Sequence, residues 1–148
     1  MGIFSWFSQK PPALPKLDHP IFGKLVATID HGDGTFFWET QEQMQTSKGK
    51  IGIFCDAPDS GPSENQVSQW MSIYANFEYI RAKSEKILID RLEDFGLESR
   101  IDEMIWSAVG LSIDGSMSSP WDISFDLDCK IFTAYFEDGK PKLVTCDD

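Results

Sequence analysis

Residues 121–129, Trp-Asp-Ile-Ser-Phe-Asp-Leu-Asp-Cys, alternate without a break between apolar odd positions and polar even ones. Successive side chains of a strand point to opposite faces, so the pattern predicts a strand with an apolar inner side and an outer row of carboxylates. A chain that owns such a strand needs a sheet with one packed face and one solvated face. The rest of the sequence must supply the cover.

That cover lies upstream. Ser63-Glu64-Asn65-Gln66 has the spacing of a capping box, with Pro62 just outside it. From there Val67, Trp70, Met71, Tyr74, Phe77, Ile80, Ile87, Leu88, Leu92 and Phe95 recur at three- and four-residue steps as far as Gly96, a residue suited to ending a helix. A single helix of that length would run about 50 Å, more than a domain of this size is wide. The spacing therefore predicts two helices with a break near Asn76, their stripe serving as core.

Strand signals flank the helices on both sides. Residues 22–29, with Leu25, Ala27 and Ile29 on one face, lead into a turn at 30–34 and return strands at 35–39 and 51–55, an antiparallel meander. Residues 41–50 read as a polar connection. After a second polar connection at 96–103, residues 105–113 read as a strand with Ile105, Val109, Leu111 and Ile113 on one face. The strand from Trp121 follows, and 131–137 and 140–146 flank Asp138-Gly139, a strong hairpin signal. The expected fold is α+β: an N-terminal meander, a central helix pair and a C-terminal meander, with the helices packed on one face of an antiparallel sheet. Residues 1–18 read as an N-terminal arm and Pro-rich spacer, and 19–148 as a single domain.

Charge narrows the range of partners. The chain has 148 residues and a formal charge of -11. Residues 105–148 hold eight acids against three lysines, so the shorter C-terminal part is the denser in charge. Nucleic acid and anionic membrane both require Lys/Arg clusters that this sequence lacks. A basic protein partner fits instead.

Metal and catalytic readings find little support. Cys55, Cys129 and Cys146 have no C-x-x-C spacing, and His19 and His31 stand in different segments. Cys55 and Cys129 are expected on inward faces as small apolar fillers, and free cysteines without a signal peptide point to the cytoplasm. Asp30-His31-Gly32-Asp33-Gly34 departs from calcium-loop spacing and reads as a turn. Ser47-Lys48-Gly49-Lys50 matches S-x-x-K by letters but lacks the partner motifs of that nucleophile. His19, before a proline, and His31, in a turn, are poorly placed to serve as oriented bases. No cofactor motif is present, and no enzymatic function is expected.

The N-terminal run is too short to span a bilayer. Its Ile3, Phe4, Trp6 and Phe7 support an alternative reading, a peripheral-membrane or scaffold accessory docking through this segment. An enzyme of unrecognised type is the other alternative.

Several local features occur in an order that resembles a loosely defined group of small acidic bacterial α+β domains. They are His19-Pro-Ile-Phe-Gly-Lys24, Trp38, Pro62-Ser-Glu-Asn-Gln66 leading to Asn76, and Trp121-Asp122. Relatives of such domains look like the immunity proteins that accompany bacterial toxins. The resemblance implies the same fold and a protein-binding role, and carries no catalytic residue over. Members of the group have an acidic-histidine-glycine element after the late Trp-Asp, where this chain has Ile123-Ser124-Phe125. The resulting expectation is a non-enzymatic cytosolic protein that binds a basic partner, of toxin type, through Asp122, Asp126, Asp128, Glu137 and Asp138.

Overall fold

The computed structural model describes residues 12–148, so the aromatic run at 3–7 lies outside the described residues. The described residues form nine strands and two α-helices, with a short 3-10 helix at Glu98–Glu103: β1 Lys16–His19, β2 Gly23–Asp30, β3 Thr35–Thr40, β4 Met44–Thr46, β5 Gly49–Pro58, α1 Glu64–Ala75, α2 Phe77–Glu93, β6 Ile105–Gly110, β7 Trp121–Leu127, β8 Lys130–Glu137 and β9 Lys140–Asp147. The class is mixed α+β, with a mostly antiparallel sheet in the order β1-β2-β3-β5-β6-β7-β8-β9 and β4 paired to β5 off that path. One pair departs from the antiparallel expectation: β5 and β6 run parallel. The reason is the connection between them, since two helices form a crossover long enough to return the chain in its original direction.

Helix signals in the sequence translate directly into local structure. Ser63 accepts from the Gln66 backbone amide at 3.1 Å while the Gln66 side chain accepts from the Ser63 amide at 2.9 Å, a complete capping box. Asn76, at φ -108° and ψ 19°, separates the helices where the length argument requires it. Gly96 takes φ +67° after α2, and the amide of Leu97 reaches back to the Leu92 carbonyl at 3.0 Å. Trp70, Ile73, Ile80, Leu88 and Leu92 are buried against Trp38, Ile53, Trp106, Val109, Ile123, Phe125 and Phe132. The stripe is slightly out of phase with the expectation: Met71 is exposed and Ile73 is fully buried.

Three strand readings are corrected. A bulge between Ala27 and Ile29 turns Ile29 out of the core. A second, between Trp106 and Ala108, puts Ile105 outside, and β6 ends at Gly110, so Ile113 belongs to a loop. The strand from Trp121 stops at Leu127, because Asp128 adopts φ +55° and makes a tight turn with Cys129 into β8. Cys129 is consequently exposed rather than inward, whereas Cys55 is buried as expected and its thiol is pushed up to about 12 by that burial. Two further strands stand where none is expected: β1, which crosses the boundary set at residue 18 between spacer and domain, and the short β4 within the polar connection at 41–50.

Both helices cover one side of the sheet. Among the described residues no helix lies over the opposite side, and the residues of that side follow from strand parity.

Candidate site on the open face of the sheet

Cross-strand pairing builds the open face one row at a time. Phe54 on β5 lies beside Gly110 on β6, Gly110 beside Asp122 on β7, Asp122 beside Tyr135 on β8, and Tyr135 beside Leu143 on β9. Gly110 contributes no side chain to this row. The gap is taken by the Asp122 carboxylate: a Cβ built on Gly110 would stand 2.3 Å from its Oδ2 and 2.8 Å from its Cγ. Asp122 thus leans across β6 instead of projecting into water. Phe54 rises on one side of it and Tyr135 on the other. Phe37 stacks on Phe54 with ring centroids 5.9 Å apart and extends that wall.

The result is a slot of about 440 Å³, whose lining includes Phe37, Phe54, Ile113, Asp122 and Tyr135. Its lining is predominantly apolar and includes two carboxylates, Asp122 and Asp56, the second paired to His31. Burial raises the Asp122 pKa above the ordinary aspartate value, partly offset by the Gly110 amide. Among the described residues Asp122 forms no salt bridge. Its ionised form therefore costs stability in the folded state. The sign follows from the folded-state pKa lying above the unfolded 3.8. The cost is absent below that value, grows as pH rises through the window between the two pKa values, and is full above it. Asp122→Asn is accordingly expected to stabilise the protein by on the order of 1 kcal/mol at pH 7, with the advantage vanishing in acid. Urea unfolding of both proteins at several pH values measures it.

The five acidic residues expected to form one partner-binding surface do not come together. Asp122 and Asp126 share the open face, both only partly exposed. Asp128, at the far turn, is held by Arg100 through bonds of 2.6 and 3.0 Å, and the same guanidinium holds Glu103 at 2.7 Å. Those bonds keep the Asp128 carboxyl below the usual range and its charge locally compensated. Glu137 and Asp138 sit at the opposite end of β7–β8, where Asp138 takes φ +53° in the hairpin and its amide binds the Ser118 carbonyl. Six residue steps of β7 put about 20 Å between the two ends. The expected solvated row is thus one half-buried carboxylate, one partly exposed carboxylate and one ion pair.

What the open face does gather is apolar surface. Of eleven exposed large hydrophobic side chains among the described residues, six lie on it: Ile29, Ile105, Ile113, Ile131, Tyr135 and Leu143. Ile113 is 70% exposed, held out by the loop that follows β6. That loop is rigidly tied to α1. Gln69 Oε1 accepts from the Ser112 amide at 2.9 Å, Gln66 Nε2 donates to the Ser112 carbonyl at 3.0 Å, and Gln69 Nε2 donates to the Ser116 carbonyl at 3.2 Å. Asp114 accepts from Ser116 N and Ser119 Oγ and closes the turn.

These apolar positions left a trace in the sequence. Phe36-Phe37-Trp38 and Ile53-Phe54-Cys55 place apolar residues at adjacent strand positions. Because neighbouring side chains face opposite ways, such runs require apolar groups on both faces.

A larger cleft, about 790 Å³, opens between the β1–β2 turn, the segment 41–46 and α1, over Phe22, Trp70 and Tyr74. Several of its polar groups already have protein partners. Gln43 Nε2 donates to the Ser107 carbonyl, Gln45 Nε2 to the Thr46 carbonyl, and Tyr74 pairs with Ser47. The slot around Asp122 is smaller but contains a carboxylate without a counter-ion among the described residues. Both histidines have local partners: His31 pairs with Asp56 at 2.7 Å, and His19 Nδ1 accepts from the amides of Ile21 and Phe22. Among the described residues no group of three or more His, Cys, Asp or Glu is placed to hold a metal ion. No helix among them is long and apolar enough to cross a membrane.

Comparison with protein-family models, with curated proteins and with solved structures finds no match to this chain.

Proposed function

We propose that the protein is a non-enzymatic cytoplasmic binding domain that docks a basic protein partner on the open face of its sheet, in the manner of a toxin-neutralising immunity protein. One observation carries the reading. Exposed large hydrophobic side chains concentrate on the face of the sheet that no helix among the described residues covers, around a half-buried carboxylate. Apolar surface gathered in this way marks interaction sites in soluble domains. The overall charge of -11 complements a basic partner and accelerates its approach. Buried aromatic and aliphatic contacts supply most of the affinity of such interfaces.

Immunity genes lie beside the genes of their toxins, so the product of the adjacent gene is the partner to test. Co-expression is expected to yield a stoichiometric complex and to protect growth. Ile113→Asp combined with Leu143→Asp is expected to weaken that complex at least 100-fold and to abolish protection, while leaving the far-UV and near-UV circular dichroism unchanged. A complex with unaltered affinity in the double variant, or no complex at all, overturns the reading.

A further inference from the structure

The geometry points to a basic side chain, lysine or arginine, as the group that enters the slot above Gly110, its methylene stem between Phe54 and Tyr135 and its cation on Asp122. This rests on the docking reading and specifies what the partner places at the centre of the face. The row Phe54–Gly110–Asp122–Tyr135 spans three inter-strand steps, about 14 Å between the outer members. Only Asp122 stands between them, and it lies low over the glycine. A long unbranched stem fits the remaining space, and aromatic walls favour a cation beside them.

Charge selects among possible occupants. An anion would be repelled by Asp122. A neutral apolar group would cover the carboxylate and leave it ionised without a partner, the costly arrangement for a buried charge. A divalent cation needs several oxygens; the nearest further carboxylate lining the slot, Asp56, is already paired to His31 at 2.7 Å. A lysine or arginine removes the penalty on Asp122 and adds a charge-assisted hydrogen bond. Gly110 is what makes this possible, since any side chain there would displace the carboxylate.

The test uses the protein labelled with nitrogen-15 and three capped tripeptides, acetyl-Gly-Lys-Gly-amide, acetyl-Gly-Arg-Gly-amide and the norleucine counterpart. The Lys and Arg peptides are expected to shift the amide signals of Gly110, Ile113 and Asp122 with millimolar affinity. Norleucine is expected to bind at least tenfold more weakly. Asp122→Asn should erase the difference between the three peptides, and Gly110→Ala, which keeps the carboxylate but evicts it from the slot, should do the same. If norleucine binds as tightly as lysine, or the preference survives in both variants, the inference is wrong, while loss of the adjacent gene product's binding in the Ile113/Leu143 double variant would still uphold the docking face. If no amide of the slot moves with any peptide, the slot receives no such side chain and the inference also falls. The docking reading is then judged by the double variant alone.

Discussion

Trp106→Ala is expected to remove about 3–5 kcal/mol of folding stability, the usual range for truncating a buried tryptophan. Trp106 is almost fully buried and joins the two helices to the sheet. Phe77, the first residue of α2, stacks on it with centroids 4.2 Å apart and planes within 5°, and Trp70 of α1 packs at 5.9 Å. Its indole N–H donates to the Ala108 carbonyl at 3.1 Å, across the bulge that re-aims β6. One side chain therefore fixes the helix break, the bulge and the central parallel strand together. Domains of this kind are stable by only about 5–15 kcal/mol, so the variant approaches the limit of folding. Urea titration checks it: the midpoint should fall sharply with the slope unchanged. Trp106→Phe should recover much of the loss, because it keeps an aromatic partner for Phe77. A loss below about 1 kcal/mol for the alanine variant would mean that the cluster is not the anchor of the core.

Much of this architecture is legible in the sequence because it rests on local rules. The capping box at Ser63, the break at Asn76, the stop at Gly96 and the Asp138-Gly139 hairpin each require only a few neighbouring residues. What the sequence leaves open depends on partners distant in the chain. Whether β5 and β6 pair, and in which direction, is decided by the docking of both helices. The bulges that expel Ile29 and Ile105 serve the twist of the assembled sheet and have no distinctive residue of their own.

The site shows the same division more sharply. Alternation correctly assigns Asp122 to the face opposite Trp121 and Ile123, but outward is not the same as solvated. Asp122 becomes half-buried only because a glycine lies beside it on the neighbouring strand. Nothing within residues 121–129 announces Gly110. Likewise the fate of Asp128 is set by Arg100, 28 residues earlier in the chain, which converts an expected docking charge into an ion pair. Adjacent apolar residues at 36–38 and 53–55 are the legible counterpart, since a strand cannot hide both neighbours on one face.

Gly115→Ala is expected to destabilise the protein by about 2–5 kcal/mol, combining the strain of a left-handed backbone with overpacking. Gly115 has φ +72°, and a Cβ there would stand 2.3 Å from the Asn65 carbonyl carbon and 2.5 Å from the Gln66 nitrogen. These are backbone atoms of the first turn of α1, held by the capping box, and they cannot swing aside as a side chain can. Gly139 provides the control. It has φ +70° with nothing within 4 Å of the added atom, so Gly139→Ala should lose only the conformational part, about 1–2 kcal/mol. The difference between the two variants, read from urea midpoints, isolates the contact between the loop and the helix. The same contact has a functional reach. The loop that Gly115 lets settle on α1 is the one that holds Ile113 out beside the slot. At temperatures where Gly115→Ala remains folded, it should therefore weaken partner binding on the open face, whereas Gly139→Ala should not. Equal losses of stability in the two variants would show that the approach to α1 carries no weight, and that Ile113 is positioned by some other part of the chain.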